Sequence, residues 1–182
     1  MKRLKLFAGI DLTPNVRAAC SDVTERLRRS GFDARFEPPE KLHVTLAFLG
    51  WVEPEAVEPI RNALANAVRG AKPFNLTLDK IGAFPHERKP RVVWIGASEQ
   101  GQSFQELSRS VRAVYEALGF TFDKDAVAHV TIARVKGGLA HLPMLDVKPM
   151  SLLVQELTLF ESIPAGRTTR YEVRALIALS AV

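Results

Sequence analysis

Two segments of the sequence place a histidine and a threonine inside an otherwise apolar run. His43 and Thr45 lie in "LHVTLAFLG", and His129 and Thr131 lie in "AHVTIARV", 86 residues further along the chain. Burying an imidazole or a hydroxyl costs free energy unless the group finds a hydrogen-bonding partner. The pattern therefore indicates that these polar side chains line a groove.

Together the two pairs supply the groups needed to cleave a phosphodiester without a metal ion. A neutral imidazole can accept a proton from an attacking water, and an imidazolium can donate a proton to the leaving oxygen. Threonine hydroxyls can hydrogen-bond phosphoryl oxygens on which charge develops. Because a histidine with a pKa of about 6.5 can take either role near neutral pH, the residue types alone leave open which ring is the acid.

Each pair is expected to lie on a β-strand, where side chains alternate between two faces. Alternation places an imidazole, a hydroxyl and a small residue on one face of each strand, namely His43, Thr45 and Ala47 in the first and His129, Thr131 and Ala133 in the second. The opposite faces are apolar and are expected to pack under helices, namely Val44, Leu46 and Phe48 in the first and Val130 and Ile132 in the second.

The segments around the two motifs also repeat. A strand, a helix, a His-x-Thr strand, a connector and a strand containing Leu-Thr-Leu occur twice in that order, and we interpret the chain as a tandem duplication covering about 4–84 and 90–162. Three helices are indicated by apolar residues spaced three or four apart. These residues are Val16, Cys20, Val23 and Leu27, then Val57, Ile60, Leu64 and Val68, then Phe104, Leu107, Val111, Val114 and Leu118. A weaker helix or a loop is expected at 137–145.

The repeat predicts one α+β domain spanning 1–182 with two pseudo-symmetric lobes. Each lobe is expected to be an antiparallel sheet with helices on its outer face, and the active-site groove is expected between the sheets. A C-terminal strand at 169–180 should complete one sheet. If the lobes face each other across a pseudo-two-fold axis, the two His-x-Thr pairs meet in the groove.

Composition limits the setting of the protein. The 182 residues are 47% hydrophobic and carry a net charge of +5, which is compatible with a polyanionic partner. The single Cys20 rules out an internal disulfide and a thiolate metal cage and favours a reducing compartment. The N-terminal segment has charges where a signal peptide is apolar, and no run reaches the length of a membrane helix. We therefore expect a cytoplasmic protein without a membrane partner.

A zinc site at the two histidines is not supported by the sequence. Zinc in a catalytic site needs a third protein ligand. Asp123 and Asp125 precede His129, but the first repeat has no equivalent acid, and threonine is a poor zinc ligand. We therefore expect neither a metal nor another cofactor.

The segments "HVTL" and "HVTI" resemble the paired motifs of the 2H phosphoesterases. Within that superfamily the chain is similar to the bacterial and archaeal RNA 2′,3′-cyclic phosphodiesterases, also called 2′-5′ RNA ligases. The resemblance covers nearly the whole chain, including "RLKLFAGIDL", "PPEKLHVTLAFLG", "RVVWIGA" and "LTLFES", and is weakest between Lys136 and Pro149. It implies hydrolysis of an RNA 2′,3′-cyclic phosphate end to a 2′-phosphate, without metal or ATP.

The resemblance also implies a role for each motif residue. His43 would be the proton donor, His129 the proton acceptor, and Thr45 and Thr131 phosphate ligands. The reverse reaction, which joins a cyclic end to a 5′-hydroxyl through a 2′-5′ linkage, would use the same groups.

Arg134 and Phe48 occupy equivalent positions, each five residues after a motif histidine. The family often has an arginine at the position of Arg134, where it is a phosphate ligand. Strict alternation would point Arg134 away from the groove, so its strand must bulge or end before it. Phe48 is a candidate to contact a base, although core packing under the helices is the simpler interpretation.

Other residues near the motifs support less specific predictions. Trp51 and Trp94 are expected to pack rather than to stack on bases. The segment "GRTTRY" could close one end of the groove through Arg167, Arg170 and Tyr171, although a hairpin turn at Gly166 explains most of it.

The expected partner is RNA ending in a 2′,3′-cyclic phosphate, bound by a monomer without an obligate protein partner. Two other functions remain open. One is a 2H phosphoesterase acting on a small cyclic phosphate or an oligonucleotide tail. The other is an RNA-end-binding protein without catalysis.

Overall fold

A computed structural model describes residues 2–135, 141–166 and 168–180 of the chain. The strands are β1 (Leu4–Asp11), β2 (Ala34–Phe36), β3 (His43–Val52), β4 (Phe74–Leu78), β5 (Lys80–Phe84), β6 (Val92–Gly96), β7 (His129–Val135), β8 (Met150–Val154), β9 (Glu156–Ala165) and β10 (Thr168–Ala178). The α-helices are α1 (Pro14–Arg29), α2 (Val57–Ala67) and α3 (Gln102–Glu116).

The strands form one large sheet and one small sheet, and their pairings are antiparallel. The large sheet has the order β10-β9-β1-β3-β7-β6-β5, with β2 also paired to β7, and β4 pairs with β8 in the small sheet. The predicted α+β class with antiparallel sheets is therefore confirmed. The predicted C-terminal strand is also present, since β10 pairs with β9 along most of its length.

The strand pairing differs from the expectation that each repeat builds a sheet of its own. β5 comes from the first repeat but pairs with β6, and β9 comes from the second repeat but pairs with β1. β5 and β6 are neighbours in sequence, so a hairpin between them closes a short loop at low entropic cost. The two Leu-Thr-Leu segments are not equivalent either, since 76–78 lies in β4 of the small sheet and 157–159 lies in β9. The duplication itself remains a prediction.

The helices lie where the apolar spacing predicts them. The four predicted core residues of α1 are all buried, and α1 begins at Pro14, which Thr13 precedes as the N-terminal flanking residue. In α3 the prediction was wrong at one position, because the helix ends before Leu118, which is exposed, and Tyr115 is buried instead. Residues 141–149 contain neither helix nor strand, and 136–140 lie outside the described residues.

One continuous core lies between the helices and one face of the large sheet. It includes Val16 and Leu27 of α1, Val44 of β3 and Val130 of β7. The opposite face of the sheet carries the polar members of both motifs. None of the helices in the described part of the chain is both long enough and apolar enough to cross a bilayer.

Candidate active site

Both His-x-Thr pairs line one cavity, of about 350 Å³, on the face of the large sheet opposite the core. β3 contributes His43 and Thr45, and β7 contributes His129 and Thr131. The predicted convergence of the two pairs is therefore present in the structure. The same cavity is also lined by Phe7, Glu37, Lys41, Phe48, Arg134 and Tyr171.

A β-bulge in β3 lies directly after the first motif. Gly9 pairs with Thr45 and Ala8 pairs with Ala47, so that Leu46 is an extra residue on β3. An extra residue reverses the alternation of side chains beyond it. Gly9 also allows the strands to approach, because a Cβ at this position would lie 2.5 Å from the carbonyl oxygen of Val44.

β7 carries the equivalent bulge directly after the second motif. Trp94 pairs with Thr131 and Val93 pairs with Ala133, so that Ile132 is the extra residue. The two bulges therefore stand at the same distance from the two histidines, one in each half of the site.

These bulges decide which predicted residues face the cavity. Arg134 lines the cavity, as the predicted break in alternation requires. The expectation that Phe48 packs under the helices was wrong, since Phe48 lines the cavity and its side chain is 54% exposed. Ala47 and Ala133 were predicted on the groove face, but both are buried in the core because the extra residue turns them inward.

The imidazole of His43 is held by two hydrogen bonds. Its Nδ1 lies 2.7 Å from the carbonyl oxygen of Lys41, and its Nε2 lies 2.9 Å from Oγ1 of Thr45. A carbonyl can only accept, so Nδ1 is the donor and carries the proton in the neutral ring. Nε2 then accepts from the Thr45 hydroxyl, which makes Nε2 the nitrogen that exchanges a proton in the cavity.

His129 is anchored in the same way. Its Nδ1 lies 2.7 Å from the carbonyl oxygen of Val127, two residues earlier in the chain, as Lys41 is two residues before His43. The carbonyl again fixes the proton on Nδ1, so the neutral ring has its lone pair on Nε2. Both rings are thus set in the tautomer that presents Nε2 for proton transfer.

Burial lowers the pKa of His43 below its usual range. The ring packs against the aromatic rings of Phe7 and Tyr171, with centroid distances of 4.8 Å and 5.3 Å. The hydrogen bond to the Lys41 carbonyl and the negative charges of Asp11 and Glu37 raise this pKa, but they offset the burial only in part. A positive charge on His129 would lower it further.

Burial also lowers the pKa of His129, whose ring lies edge-on to Phe84 at 5.1 Å. The Val127 carbonyl raises this pKa, and the positive charge of Arg134 lowers it further. The neighbouring charges therefore differ between the two rings, because carboxylates favour the protonated form of His43 and a guanidinium favours the neutral form of His129.

Glu37 holds Arg134 in the cavity wall. Its carboxylate oxygen accepts from Nε of Arg134 at 3.2 Å, and Lys41 Nζ lies 3.4 Å from its other oxygen. The backbone N–H of Glu37 donates to the carbonyl of Ile132, the extra residue of the β7 bulge, at 2.8 Å. The Glu37 side chain is only 11% exposed, so this ion pair is screened less than a surface pair.

Sequence reasoning missed Glu37 and Lys41. Glu37 directly follows the three-residue strand β2, and Lys41 ends a single 3₁₀ turn at Pro39–Lys41, where no periodic pattern marks the buried positions. The available sequence signal was that two acids, Glu37 and Glu40, lie between two basic residues, Arg35 and Lys41. Both of these cations lie within 4 Å of the Glu37 carboxylate in the folded chain.

The segment "GRTTRY" contributes one residue to the cavity wall. Tyr171 lines the cavity, with Lys41 Nζ 4.9 Å from the centre of its ring. Arg170 pairs with Glu172 instead, and Arg167 lies outside the described residues. Trp94 is buried, as predicted, and its ring fills the space above Gly82.

Within residues 2–135, 141–166 and 168–180, no group of three or more His, Cys, Asp or Glu side chains is arranged to hold a metal ion. The groups gathered in the cavity are instead those of acid–base chemistry on an anion. Two imidazoles, the hydroxyls of both motif threonines and the guanidinium groups of Arg35 and Arg134 line the same space.

Comparison with known proteins gives a consistent result. The family model described as "LigT like Phosphoesterase" matches residues 10–94. The chain is 34% identical over 173 residues to the RNA 2′,3′-cyclic phosphodiesterase of Methanothermobacter thermautotrophicus, covering 90% of this chain and 94% of that protein.

Solved structures agree with this match. The crystal structure of Escherichia coli LigT in the apo form superposes with a TM-score of 0.79 at 28% identity and covers 99% of both chains. The structure of E. coli LigT complexed with 3′-AMP gives a TM-score of 0.76 at 26% identity with the same coverage.

Proposed function

Because the chain belongs to the LigT-like phosphoesterases of the 2H superfamily, we propose that it hydrolyses RNA 2′,3′-cyclic phosphate ends to 2′-phosphate ends. The observation that carries the proposal is the convergence of two His-x-Thr pairs on one cavity, with both imidazoles anchored through Nδ1. The reaction requires neither a metal nor ATP, because the two rings supply the acid and the base.

In the proposed reaction the cyclic phosphate lies between the two rings. Nε2 of His129 accepts a proton from water as the water oxygen bonds to phosphorus. The bond between phosphorus and the 3′-oxygen breaks, and Nε2–H of His43 donates a proton to that oxygen. The products are a 2′-phosphate and a 3′-hydroxyl, and proton exchange with solvent restores the starting forms of both rings.

The charges around the rings support this assignment of acid and base. Asp11 and Glu37 favour the imidazolium of His43, and Arg134 favours neutral His129. Burial lowers the pKa of both rings, so the free enzyme holds the required proton on His43 best at mildly acidic pH. The negative charge of a bound cyclic phosphate favours that proton further.

Thr45, Thr131 and Arg134 are proposed as phosphate ligands. In the neutral state the Thr45 hydroxyl donates to His43 Nε2. When His43 is protonated, Nε2–H donates to the hydroxyl oxygen instead, and the hydroxyl hydrogen becomes available to a phosphoryl oxygen. Arg134 adds a charge-assisted hydrogen bond, and its Nε is already held by Glu37.

Phe48 is proposed to contact the terminal base. Its ring is exposed on the cavity wall and lies near Phe7, with a centroid distance of 6.5 Å and an angle of 20° between the rings. Stacking on an aromatic ring holds a base without reading its sequence. That E. coli LigT binds 3′-AMP is consistent with a nucleotide in this position.

The reverse reaction is proposed to use the same groups. A 5′-hydroxyl would replace the attacking water, which gives a 2′-5′ linkage and leaves a 3′-hydroxyl. His129 would then deprotonate the 5′-hydroxyl and His43 would protonate the leaving 3′-oxygen, the same roles as in hydrolysis.

The experiment uses an oligoribonucleotide that ends in a 2′,3′-cyclic phosphate, with EDTA present throughout. We expect a 2′-phosphate product from the native protein and loss of turnover in His43→Ala and in His129→Ala. His86→Ala is the matched control, because His86 is exposed in a loop and does not line the cavity.

Four results would overturn parts of the proposal. A 3′-phosphate product would reverse the leaving group, and loss of activity on adding EDTA would contradict a metal-independent reaction. Binding of the cyclic end without conversion would favour a protein that binds RNA ends. Equal rates on mononucleotides and on longer chains would indicate a small cyclic phosphate as the substrate.

A further inference from the structure

An exposed aromatic residue lies just beyond the cavity on the same strand. Trp51 is 52% exposed, contrary to the prediction that it packs in the core. It follows Phe48 by three residues on β3, as Phe48 follows Thr45. An exposed tryptophan beside a cavity that binds a nucleic-acid end is the side chain best suited to stack on a further base.

A second bulge in β3 accounts for the direction of Trp51. Phe7 pairs with Phe48 and Leu6 pairs with Gly50, so Leu49 is a second extra residue. This bulge reverses the alternation again. Without this bulge, Phe48 and Trp51, which are three positions apart, would lie on opposite faces of the strand.

Lys5 stands directly across the strand pair from Trp51. Its Nζ lies 5.3 Å from the centre of the Phe48 ring and 6.0 Å from that of the Trp51 ring. Lys5 also lines the cavity, so it connects the Trp51 surface to the site of the reaction. Lys5 lies two positions before Phe7 on β1, a distance of about 7 Å along the strand.

The charge of Lys5 is available to a ligand. Within the described part of the chain, no carboxylate lies within 4 Å of its Nζ. A cation held over two aromatic rings, with no acid beside it, suits a phosphate that links two stacked bases.

We propose that Trp51 and Lys5 form a second nucleotide subsite, which rests on the function proposed above. A chain that ends in a 2′,3′-cyclic phosphate can continue only in the 5′ direction from its terminal nucleotide. With that terminal base on Phe48, the preceding base stacks on Trp51, and the phosphate between the two nucleotides contacts Lys5. The preferred substrate is therefore an oligoribonucleotide of at least two nucleotides.

The test compares a nucleoside 2′,3′-cyclic monophosphate with a dinucleotide that carries the same end. The native protein should cleave the dinucleotide with a kcat/KM at least 10-fold higher, mainly through a lower KM. Trp51→Ala should remove most of that advantage and leave the mononucleotide rate unchanged, and Trp51→Phe should keep part of it. Leu176→Ala is the control, because Leu176 is an equally exposed apolar residue outside the cavity wall.

Lys5 is tested through the dependence on salt. For a single strand, removing a cation that neutralises one phosphate reduces the slope of log binding constant against log salt by about 0.7. Lys5→Gln should reduce the slope for the dinucleotide by about this amount.

Binding is measured separately from turnover. A dinucleotide with a 2′-phosphate end should quench tryptophan fluorescence in the native protein, and Trp51→Phe should abolish the quenching.

The outcomes separate this inference from the proposed function. If the native protein prefers the dinucleotide but Trp51→Ala keeps that preference or slows both substrates equally, the subsite is refuted while the RNA phosphodiesterase remains. If the native protein cleaves both substrates equally well, the subsite and the RNA substrate are refuted together, and only the phosphodiesterase chemistry remains. If neither substrate is cleaved, the proposed function fails, and the quenching experiment alone decides whether Trp51 holds a base.

Discussion

The two halves of the site share a backbone and differ in the side chains that follow it. β3 and β7 each present His-x-Thr, anchor the histidine through a carbonyl two residues earlier, and bulge at the residue after the threonine. Two residues beyond the extra residue, β3 has Phe48 and β7 has Arg134. The shared geometry therefore sets where the two Nε2 nitrogens stand, and in the proposed mechanism the differing residues give the site its direction.

The halves also differ in the residues beyond the bulge. The described residues of β7 run to Val135, which pairs with Ala34 of β2. β3 runs through a second bulge to Trp51 and Val52. One half thus carries Arg134, the proposed phosphate ligand, and the other carries a surface that suits bases.

The largest expected effect separates the acid from the base. Each of His43→Ala and His129→Ala should reduce kcat on RNA by roughly 10² to 10⁴. An aryl phosphodiester such as a p-nitrophenyl ester needs no proton on its leaving group, so His43→Ala should keep most of its activity on that substrate. His129→Ala should not, because it lacks the base, and steady-state rates on the two substrates measure the difference.

The opposite pattern, in which only His129→Ala is restored by the aryl ester, would exchange the two roles. Restoration of both variants would show that neither ring acts as a base. His86→Ala is the control again.

The next effect concerns the side chains after the bulges. Arg134→Met should lower kcat by about 10²-fold, because the phosphoryl oxygens no longer have a charged donor. Arg134 lowers the pKa of His129, so its removal raises that pKa. The acidic limb of the kcat/KM profile, below which the base is protonated, should therefore move to higher pH.

Phe48→Ala provides the comparison within the same experiment. It should raise KM, because the terminal base has no ring to stack on, and leave the position of the acidic limb unchanged. A shift of the limb in Phe48→Ala of the same size as in Arg134→Met would show that the shift does not come from charge.

A smaller effect is expected at Glu37. Glu37→Gln should raise KM by about 10-fold, because Arg134 loses the carboxylate that holds its Nε. Glu37 also raises the pKa of His43, so its removal lowers that pKa. The basic limb of the profile, above which the acid is deprotonated, should move to lower pH.

Glu40→Gln is the matched control for Glu37, since Glu40 is exposed and outside the cavity wall. An unchanged pH profile in Glu37→Gln, together with a raised KM, would limit Glu37 to positioning Arg134.

The smallest effect on chemistry, but a measurable one on stability, is expected at the glycines beside each motif. A Cβ at Gly9 would lie 2.5 Å from the Val44 oxygen, and one at Gly96 would lie 2.7 Å from the Ala128 oxygen. Gly9→Ala and Gly96→Ala should each lower the free energy of unfolding by about 1–3 kcal/mol, because backbone must move. Urea denaturation measures this, and Gly101→Ala is not a suitable control because its φ is positive.

The two His-x-Thr pairs could be recognised in the sequence because they are polar, whereas the other residues of each strand are mostly apolar. A polar side chain in an apolar strand stands out, and its repetition shows that it is no accident of one strand. Arg134 was predicted from the family resemblance, since strict alternation points it away from the groove and only a bulge could bring it there.

Phe48, Trp51 and Glu37 were not placed correctly from the sequence. Alternation counted without the first bulge assigns Phe48 to the apolar face. The two bulges cancel at Trp51, so plain alternation would put this residue on the groove face, and the prediction that it packs rested on its apolar side chain alone. The available signal was the pair Leu46 and Ala47, two neighbouring residues that are both suited to a core, which a regular strand does not place on one face. Glu37 depends on tertiary contacts with Arg134 and Lys41, which no local pattern encodes.

The sequence also could not predict that β5 and β9 each pair with a strand of the other repeat. The Leu-Thr-Leu segments match in letters, but the alternating pattern specifies a strand and not its neighbour. A hairpin connection accounts for the pairing of β5 with β6, whereas the pairing of β9 with β1 joins segments far apart in sequence, which no local pattern encodes.

The register between β3 and β7 has one consequence for how the molecule can move. Among the described residues these strands meet at a single pair, Val44 with Val130, and each valine directly follows a motif histidine. A rotation of one half against the other about this pair would displace the outer strands most and the two imidazoles least. The opening of the cavity could then widen to admit RNA ends of different size, while the distance between Nε2 of His43 and Nε2 of His129 stayed nearly constant.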